Sequence, residues 1–177
     1  MCEERREDLR EEYQKILISI EKNDIIYLDE SGFDMNMRKE FGWKERGKRL
    51  YDNKSGNRKG KRIKVISALK DRKLLAPMWF EGNTDTNIFN EWIEKCLVPE
   101  LEPHQVIVMD NATFHKLEAT RKLIESVECK LLYLPPYSPD FNPIEQKWGH
   151  VKNMVKKIRD QFADFNECLD YTLNIMG

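Results

Sequence analysis

Apolar residues in this chain recur with two different periods, and the switches between them mark out its elements. Leu9, Tyr13, Ile16, Leu17 and Ile20 stand at helical spacing within the charged stretch 1–22, which predicts an amphipathic helix. Asp24 to Ser31 (D-I-I-Y-L-D-E-S) is dense enough in apolar residues to be a central strand buried on both faces. After a loop with a short strand or hairpin arm over Phe33 to Asn57, two more strands are predicted at Arg62 to Leu69 and Leu74 to Glu81. Pro77 has no N–H to give a ladder, so the second of these belongs at a sheet edge. Asn83 to Leu97 returns to the helical period, with Pro99 beyond its end.

Gln105 to Asp110 is a continuous apolar run ending in a carboxylate, the form of a covered parallel strand. A short helix over Lys116 to Glu125 leads to a last strand, Cys129 to Leu134, which Pro135-Pro136 stops by removing two consecutive donors. Ile144, Trp148, Val151, Val155 and Ile158 then form one helical stripe, and Phe162, Phe165, Leu169 and Leu173 belong to a further helix. Three strands, helix, strand, helix, strand, helix is an α/β order. The first three strands can pair as an antiparallel meander, and the fourth and fifth join by right-handed crossovers parallel to the first. The expected result is a mixed five-stranded sheet flanked by helices, with the first and fourth strands adjacent. Residues 1–22 are read as a linker or docking helix and 23–177 as the main domain.

Composition narrows the class. A mean hydropathy of −0.70, 34% charged residues and no apolar run of spanning length leave no membrane segment, and the cytoplasm is the expected compartment. Cys2, Cys96, Cys129 and Cys168 show neither disulfide nor zinc spacing and are expected to be reduced. The net charge is −1, yet Lys44 to Lys64 holds ten lysines and arginines against Glu45 and Asp52, a local balance of +8. By itself such a block reads as a solvated loop, until something else in the chain calls for a polyanion.

Three acids call for one. Asp29 falls inside or at the end of a buried strand, where an unpaired carboxylate costs several kcal/mol; Glu30, on the opposite face by alternation, is the weaker candidate. Asp110 ends the fourth strand, the place where ligand groups gather in open α/β sheets. Glu145 sits in the first turn of the helix predicted after Asn142 as N-cap and Pro143 at N1. Asn-x-x-Glu is equally a capping box, in which Glu145 would only reach back to the Asn142 N–H. If Asp29, Asp110 and Glu145 converge, their mutual repulsion asks for a cation, and hard oxygen ligands suit Mg²⁺ or Mn²⁺. Lys152, Lys156 and Arg159 follow Glu145 along one face, a plausible contact line for a phosphate backbone. Ser138-Pro139-Asp140 reads as turn chemistry. Trp79, Trp92 and Trp148 read as core, His104 and His150 as surface or packing residues.

Three segments together carry a resemblance: Asp29-Glu30-Ser31-Gly32-Phe33, then Val108-Met109-Asp110-Asn111-Ala112-Thr113-Phe114-His115, then Leu134-Pro135-Pro136-Tyr137-Ser138-Pro139-Asp140-Phe141-Asn142-Pro143-Ile144-Glu145. With 34 residues between Asp110 and Glu145, they closely resemble the DDE catalytic domain of Tc/mariner-like transposases and their bacterial insertion-sequence relatives. The resemblance runs from about Asn23 to about Lys157. It implies a ribonuclease H-like fold, with Asp29, Asp110 and Glu145 as catalytic ligands of two Mg²⁺ (or Mn²⁺) ions, Asp29 bridging them. It implies DNA as partner, at terminal inverted repeats and a TA target, and a homodimer in the active complex of a nucleoid-associated enzyme. Lys44, Arg46, Lys48, Arg49, Arg58, Lys59 and Lys61, with Lys152, Lys156 and Arg159, become candidate DNA contacts, and Asn111 and His115 accessory residues. Relatives commonly carry helix-turn-helix modules before this domain. The expectation here is therefore a catalytic half joined to a separately encoded DNA-reading half. The alternatives are a transposase remnant kept for binding or oligomerisation, and a ribonuclease H or junction-resolving nuclease.

Overall fold

The computed structural model describes residues 7–37, 45–48, 61–110 and 118–177. Its strands are β1 (Ile25–Asp34), β2 (Arg62–Lys70), β3 (Lys73–Glu81), β4 (Val106–Met109) and β5 (Lys130–Tyr133), in the order β3-β2-β1-β4-β5. β1, β2 and β3 form the antiparallel meander, and β4 and β5 run parallel to β1. The helices are α1 (Glu7–Ile18), α2 (Thr86–Trp92), α3 (Glu118–Glu125), α4 (Ile144–Ile158) and α5 (Phe165–Met176).

Alternation along the strands divides the core between the two faces of the sheet. Ile26, Leu28, Ile107 and Met109 pack with Phe89, Trp92, Ile93 and Ile124 beneath α2 and α3. Phe33, Ile63 and Val65 pack on the other side with the whole α4 stripe, Ile144, Trp148, Val151, Val155 and Ile158, and with Phe165, Leu169 and Leu173 of α5. On that same side Val106 and Val108 meet Tyr13 of α1. A central strand buried on both faces is what the apolar density of β1 predicts.

Three local differences from the sequence reading have clear causes. β1 continues past Ser31 to Asp34 because β2 offers partners along its full length, down to Phe33↔Ile63 and Asp34↔Arg62. The second helix starts at Asp85, whose carboxylate accepts from the Ile88 N–H at 2.9 Å, rather than at Asn83. Beyond Trp92 it widens into a π-helical turn (Ile93–Leu97) and ends in a 3₁₀ turn (Val98–Glu100) that accommodates Pro99. Pro77 lies on the edge strand as expected. There Ala76 and Pro77 stand opposite the single residue Ser67, a β-bulge with Ala76 at φ 46°. Ser67 Oγ donates to Leu75 O at 2.8 Å and bridges the bulge. Among the described residues no helix is long and apolar enough to cross a membrane, and Cys96, Cys129 and Cys168 are free thiols.

Ile107 is fully buried at the centre of the sheet. Ile107→Ala is expected to destabilise the domain by about 3 kcal/mol, read from urea unfolding with an unchanged m-value.

Candidate functional site

Three chain segments distant in sequence come together on one side of the sheet. Alternation in β1 turns Tyr27, Asp29 and Phe33 towards α4 and leaves Glu30 on the opposite face, where its carboxylate accepts from Thr84 Oγ1. The parallel register pairs Ile25 with Val106 and Tyr27 with Val108, so two residues further on Asp29 and Asp110 emerge at the same end of adjacent strands. β5 extends this edge through Leu134, whose N–H donates to Met109 O at 2.9 Å, before Pro135 and Pro136 turn the chain away. A 3₁₀ turn, Pro139–Phe141, then delivers it to α4, whose second residue is Glu145.

The start of α4 departs from the capping prediction. Asn142 does not cap with its side chain, and Pro143, at φ −64°, is already helical in the capping position. The Asn142 N–H donates to Pro139 O at 2.9 Å, so the group that a capping-box Glu145 would accept from is taken by the preceding turn. Asn142 is 4% exposed, and its Oδ1 is buried with no hydrogen-bond partner among the described residues.

Asp29, Asp110, Asn142 and Glu145 line one cavity of about 370 Å³, together with the run from Leu134 to Pro139. Asp29 is the innermost of the acids: it is largely buried, while Asp110 and Glu145 are exposed at the cavity wall. The Trp148 indole Nε1–H donates to Asp29 Oδ2 at 3.1 Å. Burial pushes the Asp29 carboxyl up to about 7; the charges of Asp110 and Glu145 add to the rise, and hydrogen bonds from the Glu30 backbone and Trp148 oppose it. Among the described residues no three His, Cys, Asp or Glu side chains close into a metal-binding cluster. The three acids come together as lining of one cavity. The donor set fits a hard divalent cation: three carboxylates, plus an amide oxygen left open at the same wall.

Lys152 lies beside this site, half-buried with its Nζ 5.3 Å from the Phe33 ring centre. Burial lowers its pKa, and the charge of Asp29 acts against that. Lys156 follows one turn later on the same helix. Arg159 falls beyond the end of α4 in a 3₁₀ turn, where its guanidinium donates to Phe162 O at 2.8 Å. Arg46 and Lys48 are exposed, Lys48 in an ion pair with Glu45, and Lys61 is paired with Glu81 at 3.5 Å. Lys44, Arg49, Arg58, Lys59, Asn111 and His115 lie outside the described residues.

Sequence reasoning took Trp148 for a core residue. It is one, 3% exposed, and it also donates a hydrogen bond to Asp29. Its position three residues after Glu145, on the neighbouring face of one helix, was the available signal. Asn142 was assigned only a capping role.

A family model described as DDE superfamily endonuclease matches residues 24–168. The chain belongs to this family. The chain is 24% identical over 152 residues to the Tc3 transposase of Caenorhabditis elegans, an alignment covering 82% of this chain and 46% of that protein. It spans roughly half the length of the curated relatives it matches. Among solved structures, the mariner Mos1 paired end complex with Mg superposes with a TM-score of 0.63 at 18% identity, over 95% of this DDE chain and 59% of the other. The catalytic domain of Mos1 mariner transposase gives 0.58 at 17% identity, over 99% and 90%. The fold is thus the ribonuclease H-like arrangement of DDE catalytic domains.

The raised Asp29 pKa has a consequence for the metal-free protein. A carboxyl held near 7 when folded and near its ordinary value when unfolded costs stability as pH rises through that window. Asp29→Asn keeps an acceptor for Trp148 and removes the charge. It is expected to raise metal-free stability by about 2–4 kcal/mol at pH 8 and by nearly nothing at pH 4, measured by urea unfolding at both.

Proposed function

We propose that this chain is the catalytic domain of a DDE transposase, cutting DNA strands at the ends of an insertion element and transferring them to a target. The observation that carries the proposal is the cavity on which Asp29, Asp110 and Glu145 meet from β1, the end of β4 and the first turn of α4. On this reading the three acids are the catalytic ligands of two Mg²⁺ or Mn²⁺ ions. Two such ions supply Lewis-acid activation of a water or 3′-hydroxyl and stabilisation of the leaving oxygen in an in-line phosphoryl transfer. Asp29 would be one ligand, its carboxylate oriented by the Trp148 indole. Asp110 and Glu145, exposed on the cavity wall, would complete the set. Pro135 and Pro136 make the adjoining wall rigid and free of backbone donors that would compete for the acids.

DNA is the substrate this arrangement serves. Lys152 and Lys156 continue from Glu145 along α4, and Arg46, Lys48 and Lys61 belong to the strongly basic stretch between β1 and β2. Exposed lysines with weak surface partners are free to exchange them for phosphates. Terminal inverted repeats as the cleaved ends, a TA target, two catalytic domains in the active complex and a separately supplied helix-turn-helix module complete the reading. The support for pairing and for end DNA is that similar Mos1 structures are described as paired-end complexes with transposon ends and as a strand transfer complex.

Asp110→Ala is expected to lower Mg²⁺-dependent nicking of element-end DNA at least a thousandfold, while metal-free stability is equal or raised because a repelling charge is gone. A gel assay on supercoiled plasmid, with urea unfolding of the same sample, measures both. Undiminished nicking, or marked destabilisation without metal, sinks the assignment. Run on RNA–DNA hybrid and branched DNA in parallel, the assay separates a transposase from a ribonuclease H or resolving nuclease; no turnover on any substrate with retained DNA binding indicates a binding remnant.

A further inference from the structure

The turn that carries the chain into Glu145 is poorly supplied with backbone partners of its own. Pro135, Pro136 and Pro139 contribute no N–H, Tyr137 sits at φ 54°, and α4 begins without a side-chain cap. Three backbone hydrogen bonds close it: Phe141 N–H to Ser138 O at 3.1 Å, Asn142 N–H to Pro139 O at 2.9 Å and Glu145 N–H to Asn142 O at 3.2 Å. What holds it from outside is α1. Arg10 donates from one guanidinium nitrogen to Ser138 Oγ at 2.7 Å and to Asp140 Oδ1 at 3.2 Å, and from the other to Asp140 Oδ2 at 2.6 Å. The same guanidinium lies 4.2 Å from the centre of the Phe141 ring, and Tyr13, one turn further along α1, stacks on that ring at 5.3 Å. Arg10 is 13% exposed, Tyr13 is 3% exposed and Ser138 is 3% exposed.

A bidentate guanidinium-carboxylate pair with a third hydrogen bond and a stacked ring fixes both position and orientation, which a lysine at the same place does not do. Its targets, residues 138, 140 and 141, immediately precede Asn142 and Glu145, two of the side chains on the acidic cavity. We infer that Arg10 is a positioning residue for the candidate metal site: the docking of α1 on the Ser138–Phe141 turn sets the placement of Asn142 and Glu145. This rests on the proposed function for its chemical meaning, while the mechanical coupling stands on the contacts alone. α1 is then part of the site's framework and not only a connector: breaking the Arg10 contacts loosens the wall that carries Glu145 and leaves the β1–β2 ladder, which those contacts do not touch, as it is.

The test is amide exchange followed residue by residue by NMR, together with Mn²⁺ affinity from EPR, on the whole chain and on Arg10→Ala, Arg10→Lys and Asp140→Asn. In Arg10→Ala the Phe141, Asn142 and Glu145 amides are expected to exchange at least tenfold faster, with the β1 and β2 amides unchanged, and Mn²⁺ to bind at least threefold more weakly. Arg10→Lys is expected to restore part of both, because it keeps one ionic contact to Asp140. Asp140→Asn, at a half-exposed position, removes the ion pair without touching α1 and is expected to move both readouts the same way if Arg10→Ala fails to fold. Unchanged exchange at those three amides in a folded Arg10→Ala or Asp140→Asn overturns the inference. So does faster exchange there with Mn²⁺ affinity unaltered. A wild-type chain that takes up no Mn²⁺ overturns the proposed function instead, with the exchange arm still deciding whether α1 holds the turn.

Discussion

The parallel pairing of β1 with β4 is the constraint on which the rest depends. It is the register, with Tyr27 opposite Val108, that brings a carboxylate from each strand to the same end of the sheet and to the same face. A shift of one residue would turn one of the two acids to the α2–α3 side, into a packed apolar layer. Every residue of β4 is buried, so its hydrophobic requirement and the placement of Asp110 are satisfied by one and the same alignment. That is why two acids can approach each other in a fold whose stability comes from apolar burial on either side of them.

α4 adds the third acid and pays part of the cost of the first. Its buried stripe fixes the rotation of the helix about its axis, and this rotation points the Trp148 indole at Asp29 while leaving Glu145 on the cavity wall. Together with the Glu30 backbone the indole gives Asp29 two hydrogen bonds, which do not outweigh burial, and the Asp29 pKa stays displaced upward. Packing elsewhere therefore holds this carboxyl where its charged form is disfavoured, a relation that recurs where a rigid scaffold carries a perturbed acid.

The cationic residues divide by what surrounds them. Lys152 is drawn half into the protein against Phe33, near enough to Asp29 for that charge to act on it. Lys48 and Lys61 hold only exposed ion pairs of little worth. Arg159 is used by the backbone of its own turn, which separates it in role from the two lysines that precede it.

The strands, their order, the edge position of β3 and the buried stripe of α4 were legible in the sequence because each follows from a local period or from a residue with one backbone option, such as Pro77. Asp29, Asp110 and Glu145 could be named as candidates from their places at strand ends and a helix start and from the motifs around them; that all three line one cavity is what the structure adds. What the tertiary structure alone decided are the contacts between segments far apart in the chain: the Trp148 bond to Asp29 across 119 positions and the Arg10 bonds to Asp140 across 130. No periodicity encodes these, since they depend on how one helix rotates and where another docks. The capping box failed for the same reason, because the local pattern was right in itself but the turn before it had already claimed the N–H it needed.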